Sequence, residues 1–402
     1  MTNQQTILLL QGGGALGAYQ CGAIEGLEQA GTPPDWVAGI SIGAINAALL
    51  AGNAPAERVP ALRRFWERIS AASAATDLWS AALAPRWLNL MIATRTIAFG
   101  APGFFRPCCP GAALLPPGTP GARSFYDTAP LRDTLLELVD FERINTGPMR
   151  LSVGAVNVAT GNMTWFDSAS TRITPEHIMA SGALPPGFPA IEIDGAYYWD
   201  GGLVSNTPLQ YVLEAQDGRA DLTIYQIDLW NARGERPDSV WTSDTREMEI
   251  RFSSRTRMAT DLLRDRHELH QAARRLAKRL PPELQSDPDL RRLMAGARDP
   301  RLSIAHLIYR QNSAESGSRD YEFSRRSMEA HWQAGATDAR KTLDHPSWQS
   351  RATSRHQIET FDLSSPDSLP ERTDHESRRR PAQSVFDAAE QPRLSKGTLP
   401  LH

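Results

Sequence analysis

Residues 7–31, ILLLQGGGALGAYQCGAIEGLEQAG, and residues 36–52, WVAGISIGAINAALLAG, carry the same local pattern twice. In the first, the apolar run Ile7 to Leu10 ends in three glycines, after which apolar residues recur at helical spacing until Gly31; this reads as buried strand, tight turn, helix. In the second, Trp36 to Ile40 is a short apolar strand, Ser41 to Gly43 a turn, and AINAALLAG a helix closing on Gly52. Two strand-turn-helix units this close predict an α/β fold in which helices cover a parallel sheet.

Working outward, RLSVGAV (Arg150 to Val156) and LTIYQIDL (Leu222 to Leu229) read as further core strands. Between them IEIDGAYYW places Asp194-Gly195 between alternating apolar residues, a hairpin signature. Residues 70–125 are rich in Ala, Pro and Gly, with Trp79, Trp87, Phe104 and Phe105 scattered among them and no clear period. They read either as an irregular insertion packed on the main domain or as an apolar flap over a site that handles lipid chains.

From about Glu247 the chain turns helical and basic, with Leu262, Leu269, Ala273, Leu276 and Leu280 on one side and Arg264, Arg266, Arg274, Arg275, Lys278 and Arg279 on the other. Such a helix suits either a solvated basic face or an anionic membrane surface. Leu302 to Tyr309 is a candidate late strand and Tyr321 to Leu343 a further helix; from residue 346 the composition suits a disordered tail. The expected organisation is a main domain over 1–235 with an insertion over 70–125, a mostly helical basic extension over 236–345 and a disordered tail over 346–402.

With 402 residues, 41% hydrophobic and 22% charged, the chain can bury a large core. Its 43 basic and 46 acidic residues give a net charge of −3, which lacks the basic footprint of a nucleic-acid binder. The charge is uneven: residues 1–245 hold 15 Arg, no Lys and 23 acids, so the C-terminal part is the basic one. Cys21, Cys108 and Cys109 fit neither a disulfide framework nor zinc-ligand spacing and read as reduced thiols. The N-terminus has no basic n-region and no apolar stretch approaches 18 residues, so a cytoplasmic protein is expected.

The chemistry centres on Gly39-Ile40-Ser41-Ile42-Gly43. A serine at a strand-to-helix turn is forced into a strained backbone that lifts its hydroxyl clear of the sheet, and the flanking glycines remove side chains that would clash. The first free N–H groups of the next helix then face whatever the serine attacks. Gly12-Gly13-Gly14-Ala15-Leu16-Gly17 also satisfies GxGxxG, but a dinucleotide site needs an acidic residue at the end of the second strand, where this chain has Ser41. The alternative is an oxyanion hole built from the backbone N–H groups of Gly13 and Gly14. Trp199-Asp200-Gly201-Gly202 follows the hairpin and would set an aspartate on a tight loop.

Taken in order, these motifs resemble the patatin-like phospholipase family: a glycine-rich oxyanion loop (Gly12, Gly13, Gly14, Gly17), a Gly-x-Ser-x-Gly elbow (Gly39, Ser41, Gly43) and an Asp-Gly-Gly loop (Asp200, Gly201, Gly202). The likeness extends to Ser181-Gly182-Ala183-Leu184-Pro185-Pro186-Gly187-Phe188-Pro189 and to Asn206-Thr207-Pro208, and covers roughly residues 6–230. One departure is Leu16, where the family's loop often carries Arg or Lys. The resemblance implies a three-layer α/β/α fold with a mainly parallel sheet and a Ser41–Asp200 dyad without metal or cofactor. Ser41 would attack an acyl ester of phospholipid or lysophospholipid, Asp200 would take its proton, and water would hydrolyse the acyl-serine. A carboxylate at pKa about 3.9 is a poor base for an alcohol, so burial must raise it or a hydrogen bond must do the work.

Three alternatives stand beside this. A Ser-Asp-His order could be completed by His177, His267, His270 or His331, and His267 with His270 could share a metal but find no third ligand. An acyltransferase would use the same acyl-Ser41 with an alcohol or thiol replacing water. A lipid-binding regulator would keep the fold without turnover.

Overall fold

The protein is seen here in a computed structural model, which describes residues 4–71, 85–216, 220–254, 256–281, 284, 287–294, 301–310, 319–351 and 358–364. Trp79 and most of the expected tail (352–357 and 365–402) lie outside the described residues, as do the side chains of Trp87, Arg264, Arg266 and His267.

The opening pattern folds as β1 (Gln4–Leu10), α1 (Ala18–Gln29), β2 (Trp36–Ile40) and α2 (Ile42–Ala51), followed by α3 (Arg58–Ile69). The insertion holds α4 (Pro85–Phe99) and a small hairpin of β3 (Arg106–Pro107) and β4 (Tyr126–Asp127). Then come α5 (Ala129–Leu138), α6 (Phe141–Thr146), β5 (Arg150–Asn157), β6 (Met163–Asp167), α7 (Pro175–Ser181), β7 (Ile191–Ile193), β8 (Ala196–Asp200), α8 (Leu209–Ala215) and β9 (Asp221–Asp228). The C-terminal part supplies α9 (Val240–Phe252), α10 (Thr256–Ala277), α11 (Pro288–Met294), β10 (Leu302–Ile308), α12 (Arg325–Asp344), α13 (Pro346–Gln349) and β11 (Ile358–Phe361).

Nine strands form one sheet in the order β11-β10-β9-β1-β2-β5-β8-β7, with β6 also on β5. Neighbours from β11 to β5 are parallel, and the pairs β5–β6, β5–β8 and β8–β7 are antiparallel. Alternate residues of the central strands bury on opposite faces, Leu8 and Leu10 toward α1 and α2, Ile7 and Leu9 toward α8. Burial on both faces is why these strands read as unbroken apolar runs. The Asp194-Gly195 hairpin is present, both residues having positive φ (50° and 79°) as a two-residue primed turn requires.

The boundary expected at 235/236 does not divide the fold. The extension contains the helices anticipated for it, but it also adds β10 in register beside β9, from Leu302↔Leu222 to Ile308↔Asp228, and β11 beside β10. The segment from 346 likewise begins inside the fold, with Trp348 buried against Tyr225 and Phe361. A strand edge left open at β9 would expose unpaired backbone groups, and β10 covers it. The polarity foreseen for α10 is also different: Ala273 is buried, but Leu262, Leu269 and Leu276 are exposed.

Helix α12 lies on α1 at backbone distance. A Cβ on Gly22 would collide with the carbonyl of Trp332, and one on Gly335 with that of Tyr19. Around this contact Trp332 donates its indole N–H to Glu25 (2.6 Å), Tyr19 its hydroxyl to Asp338 (2.8 Å), and Arg63 stacks on the Trp332 ring while pairing with Glu329. Alanine in place of Gly22 gains about 1 kcal/mol of helix propensity, yet forces two backbones apart. Gly22→Ala is therefore expected to lower unfolding stability by about 2 kcal/mol in urea titration.

Candidate functional site

The sheet register brings the site together before any side chain is considered. Ile40 at the end of β2 pairs with Gly154 of β5, and Ala155 of β5 pairs with Asp200 at the end of β8. Ser41 and Asp200 thus emerge at one level, separated by a single strand.

Ser41 has φ 57° and ψ −127°, a conformation that costs a non-glycine residue on the order of 1–3 kcal/mol. Its surroundings hold it there. The Ser41 N–H donates to both the carbonyl (3.1 Å) and the hydroxyl (3.0 Å) of Ser181, and the Ser181 hydroxyl donates to the Gly154 carbonyl (2.6 Å). The glycines of the elbow are sites of close approach: a Cβ on Gly39 would strike the Gly43 carbonyl, and one on Gly43 the carbonyls of Leu10 and Gln11.

The glycine loop lies directly against the serine, since a Cβ on Gly12 would sit 2.9 Å from Ser41 Cβ. The Gly12 carbonyl accepts from the Trp230 indole (2.8 Å) and from Asn206 Nδ2 (3.0 Å). In a trans peptide the next N–H points the opposite way; no described residue accepts from the N–H of Gly13 or Gly14. Gln11 is fully buried, and its Oε1 accepts from the N–H groups of Leu229 (2.6 Å) and Trp230 (3.1 Å). Its Nε2 and Asn206 Nδ2 both donate to the Phe252 carbonyl at the end of α9. Further along, a Cβ on Gly17 would meet Ile42 Cγ1 at 2.6 Å, so the loop seats on the first turn of α2. Leu16, in the place of a cation, is wholly in the core.

Asp200 is 2% exposed. Burial pushes its pKa up to about 6, against hydrogen bonds from the Ser41 hydroxyl and the Gly202 N–H (2.7 Å to Oδ1) that favour the charged form. Gly201 packs on the Gly154 carbonyl, 2.6 Å from where its Cβ would be. Tyr321 adds a wall from the C-terminal part: burial, together with the nearby Asp320, Tyr126 and Asp200, pushes its phenol up to about 12. The Asp320 carbonyl meets Gly14, which has φ 55°. Phe323 then joins Phe104, Phe105 and Phe188 in one aromatic cluster. Phe104 and Phe105 of the insertion are therefore core residues.

Of the histidines whose side chains are described, none is bonded to Ser41 or Asp200. His177 caps α7, its Nδ1 accepting from the Thr174 N–H (3.0 Å), and burial lowers its pKa. His331 packs against Tyr309, and His270 is half-buried on α10. No group of three or more His, Cys, Asp or Glu among the described residues is placed to hold a metal. Sequence reasoning passed over Gln11, Trp230 and Tyr321, and noted Ser181 and Asn206 only as parts of a familiar stretch. A polar residue opening a glycine loop could have marked Gln11; nothing local marks Trp230 or Tyr321.

Two family profiles match the chain, one described as patatin-like phospholipase over residues 8–213 and one as patatin phospholipase over residues 250–355. The second corrects the expectation that the likeness stops near residue 230. No curated protein matches significantly. Solved structures that match include VipD from Legionella pneumophila, with 14% identity over 82% of this chain and 67% of that one and a TM-score of 0.32. Full-length ExoU with SpcU, from the type III secretion system of Pseudomonas aeruginosa, matches with 14% identity over 90% and 76% and a TM-score of 0.24. A second structure of the heterodimeric ExoU–SpcU complex gives 15% identity over 88% and 71% and a TM-score of 0.28.

Because the Asp200 pKa is raised from 3.8 to about 6, the folded state binds the proton more tightly, and stability falls as pH rises through that window. The displacement costs on the order of 3 kcal/mol at pH 7. Asp200→Asn is expected to recover most of this at pH 7 and almost none at pH 3.5, read from urea midpoints at the two pH values.

Proposed function

The chain belongs to the patatin-like phospholipase family and is a lipid hydrolase, and from that premise we propose that it cleaves acyl esters of phospholipid or lysophospholipid through an acyl-serine on Ser41. The observation that carries this is Ser41, raised on the elbow at positive φ and set across one strand from the buried carboxylate of Asp200, whose charged form it favours.

Ser41 Oγ attacks the ester carbonyl carbon while its proton passes to Asp200. A carboxylate with a pKa of about 6 is ionised at pH 7 yet more basic than an exposed one, so burial supports its use as a general base. The oxyanion of the tetrahedral intermediate lies within the donors of the Gly12–Gly14 loop, where the N–H groups of Gly13 and Gly14 stabilise the charge as it develops. Gly12 and Gly17 shape that loop, and Gly39, Gly43, Gly201 and Gly202 allow the close backbone approaches around it. Collapse expels the alcohol, which takes the proton from Asp200; water then repeats the sequence on the acyl-serine. We place the enzyme in the cytoplasm, in peripheral contact with an anionic membrane; three unpaired cysteines, one of them exposed, favour a reducing compartment. No described helix is long and apolar enough to cross a membrane.

Ser41→Ala and Asp200→Asn are each expected to lower kcat/KM on p-nitrophenyl esters about a thousandfold or more, and a fluorophosphonate should label wild type but not Ser41→Ala. Since the base must be ionised, kcat/KM should rise about tenfold per pH unit below pH 6 and level off above it. A profile flat from pH 4 to 8, or full turnover by Asp200→Asn, refutes the assignment of the base.

A further inference from the structure

Residues 85–125 contain four arginines, Arg86, Arg95, Arg106 and Arg123, and not one aspartate or glutamate, although the N-terminal part of the chain is acidic overall. The same stretch exposes large apolar side chains: Met91 (61%), Ile97 (49%), Phe99 (76%), Leu114 (81%) and Phe125 (55%). Single exposed hydrophobics are ordinary, but five in one acid-free segment mark a contact surface.

The segment is built onto the site. The Tyr126 hydroxyl of β4 donates to the Ile97 carbonyl of α4 (2.8 Å), tying helix to hairpin. A cavity of about 200 Å³ opens between them, lined by Ile92, Arg95, Phe99, Phe105, Arg106 and Phe323 among others. The N–H groups of Phe125 and Tyr126 donate to the carbonyls of Pro186 (3.1 Å) and Gly187 (2.9 Å), in the loop that follows Ser181. Phe105 packs at a tilt against Phe188 of that loop and against Phe323, two residues from Tyr321. Arg106 pairs with Asp127 just beyond the segment, its side chain 67% exposed, while the segment itself carries no acid to balance its other arginines.

We infer that the end of α4 and the β3–β4 hairpin form the surface on which this protein docks to an anionic bilayer, apolar side chains entering the boundary of headgroup and acyl chain and arginines meeting lipid phosphates. The inference rests on the lipid-hydrolase reading for its substrate, since a bilayer is where phospholipid lies. The other exposed leucines, Leu262, Leu269 and Leu276 of α10, suit that partner less well, because Asp261, Asp265 and Glu268 lie on the same helix, whereas residues 85–125 carry no acid. Helix α10 packs beside α8, on the face of the sheet that holds Ile7 and Leu9.

The test uses the full chain with vesicles of phosphatidylcholine alone and vesicles with about one third phosphatidylserine. Wild type should cosediment with the anionic vesicles, less so as salt rises. The double variant Phe99→Ser/Leu114→Ser should lose at least about tenfold in partitioning and equally in hydrolysis of vesicular phospholipid, with hydrolysis of a soluble short-chain p-nitrophenyl ester unchanged. Phe125→Ser should show the same split, and Leu262→Ser/Leu269→Ser should bind as wild type. Undiminished binding by the first variant, loss of binding by the α10 variant instead, or no binding by wild type overturns the inference. Vesicle binding lost with Phe99→Ser/Leu114→Ser, in a protein that hydrolyses no ester, would uphold the docking surface and refute the catalytic reading.

Discussion

Backbone approaches backbone at the centre of this molecule, and the rest of the structure depends on nothing standing between. Gly43 lies on the carbonyls of Leu10 and Gln11, Gly39 on that of Gly43, and Gly12 on Ser41 itself. One added methyl at any of these points would push β1 from β2, or the glycine loop from the serine. The strain at Ser41 is affordable because Ser181 captures its N–H twice and α2 begins at once behind it. A serine hydroxyl presented above a sheet is thus a property of how closely two turns can nest, with side chains contributing mainly by their absence.

The second dependence runs from this centre to the C-terminal part. The Gly12 carbonyl is held by Trp230 and Asn206, and both Asn206 and Gln11 reach the Phe252 carbonyl. Two residues on, Ser254 bonds Asp228, whose carboxylate also meets His306 of β10. Burial by itself would lower the His306 pKa, but the Asp228 charge outweighs it and raises it. A chain of polar contacts therefore links the loop beside Ser41 to a strand more than 290 residues later in the sequence. This is the physical reason that residues 236–345 behave as part of one fold.

Burial of Asp200 shows the balance struck at the site. A carboxylate with the Gly202 N–H as donor and almost no water is held in its less favoured charged state at neutral pH, which weakens the fold while making the carboxylate more basic. The aromatic cluster of Phe104, Phe105, Phe188 and Phe323 draws one residue or pair from each of three segments distant in sequence.

Much of this was legible in residue order alone. Apolar runs of four or five residues ending in glycine determine strand, turn and helix through backbone sterics that act over a handful of positions, so β1, α1, β2, α2 and the Asp194-Gly195 hairpin could be read directly. The glycine loop, the Ser41 elbow and the Asp200 loop were found for the same reason, each being a short-range backbone requirement. Tertiary structure decided what short range cannot: that Ala155 pairs with Asp200 and so sets it beside Ser41, and that β10 closes the edge of β9. It also decided that Gly335 fits against Tyr19, that the Asp320 carbonyl meets Gly14 of the glycine loop, and that the α10 leucines stay in solvent. Register and burial depend on partners far away in the chain, and a pattern of hydrophobicity names a face without naming what will cover it.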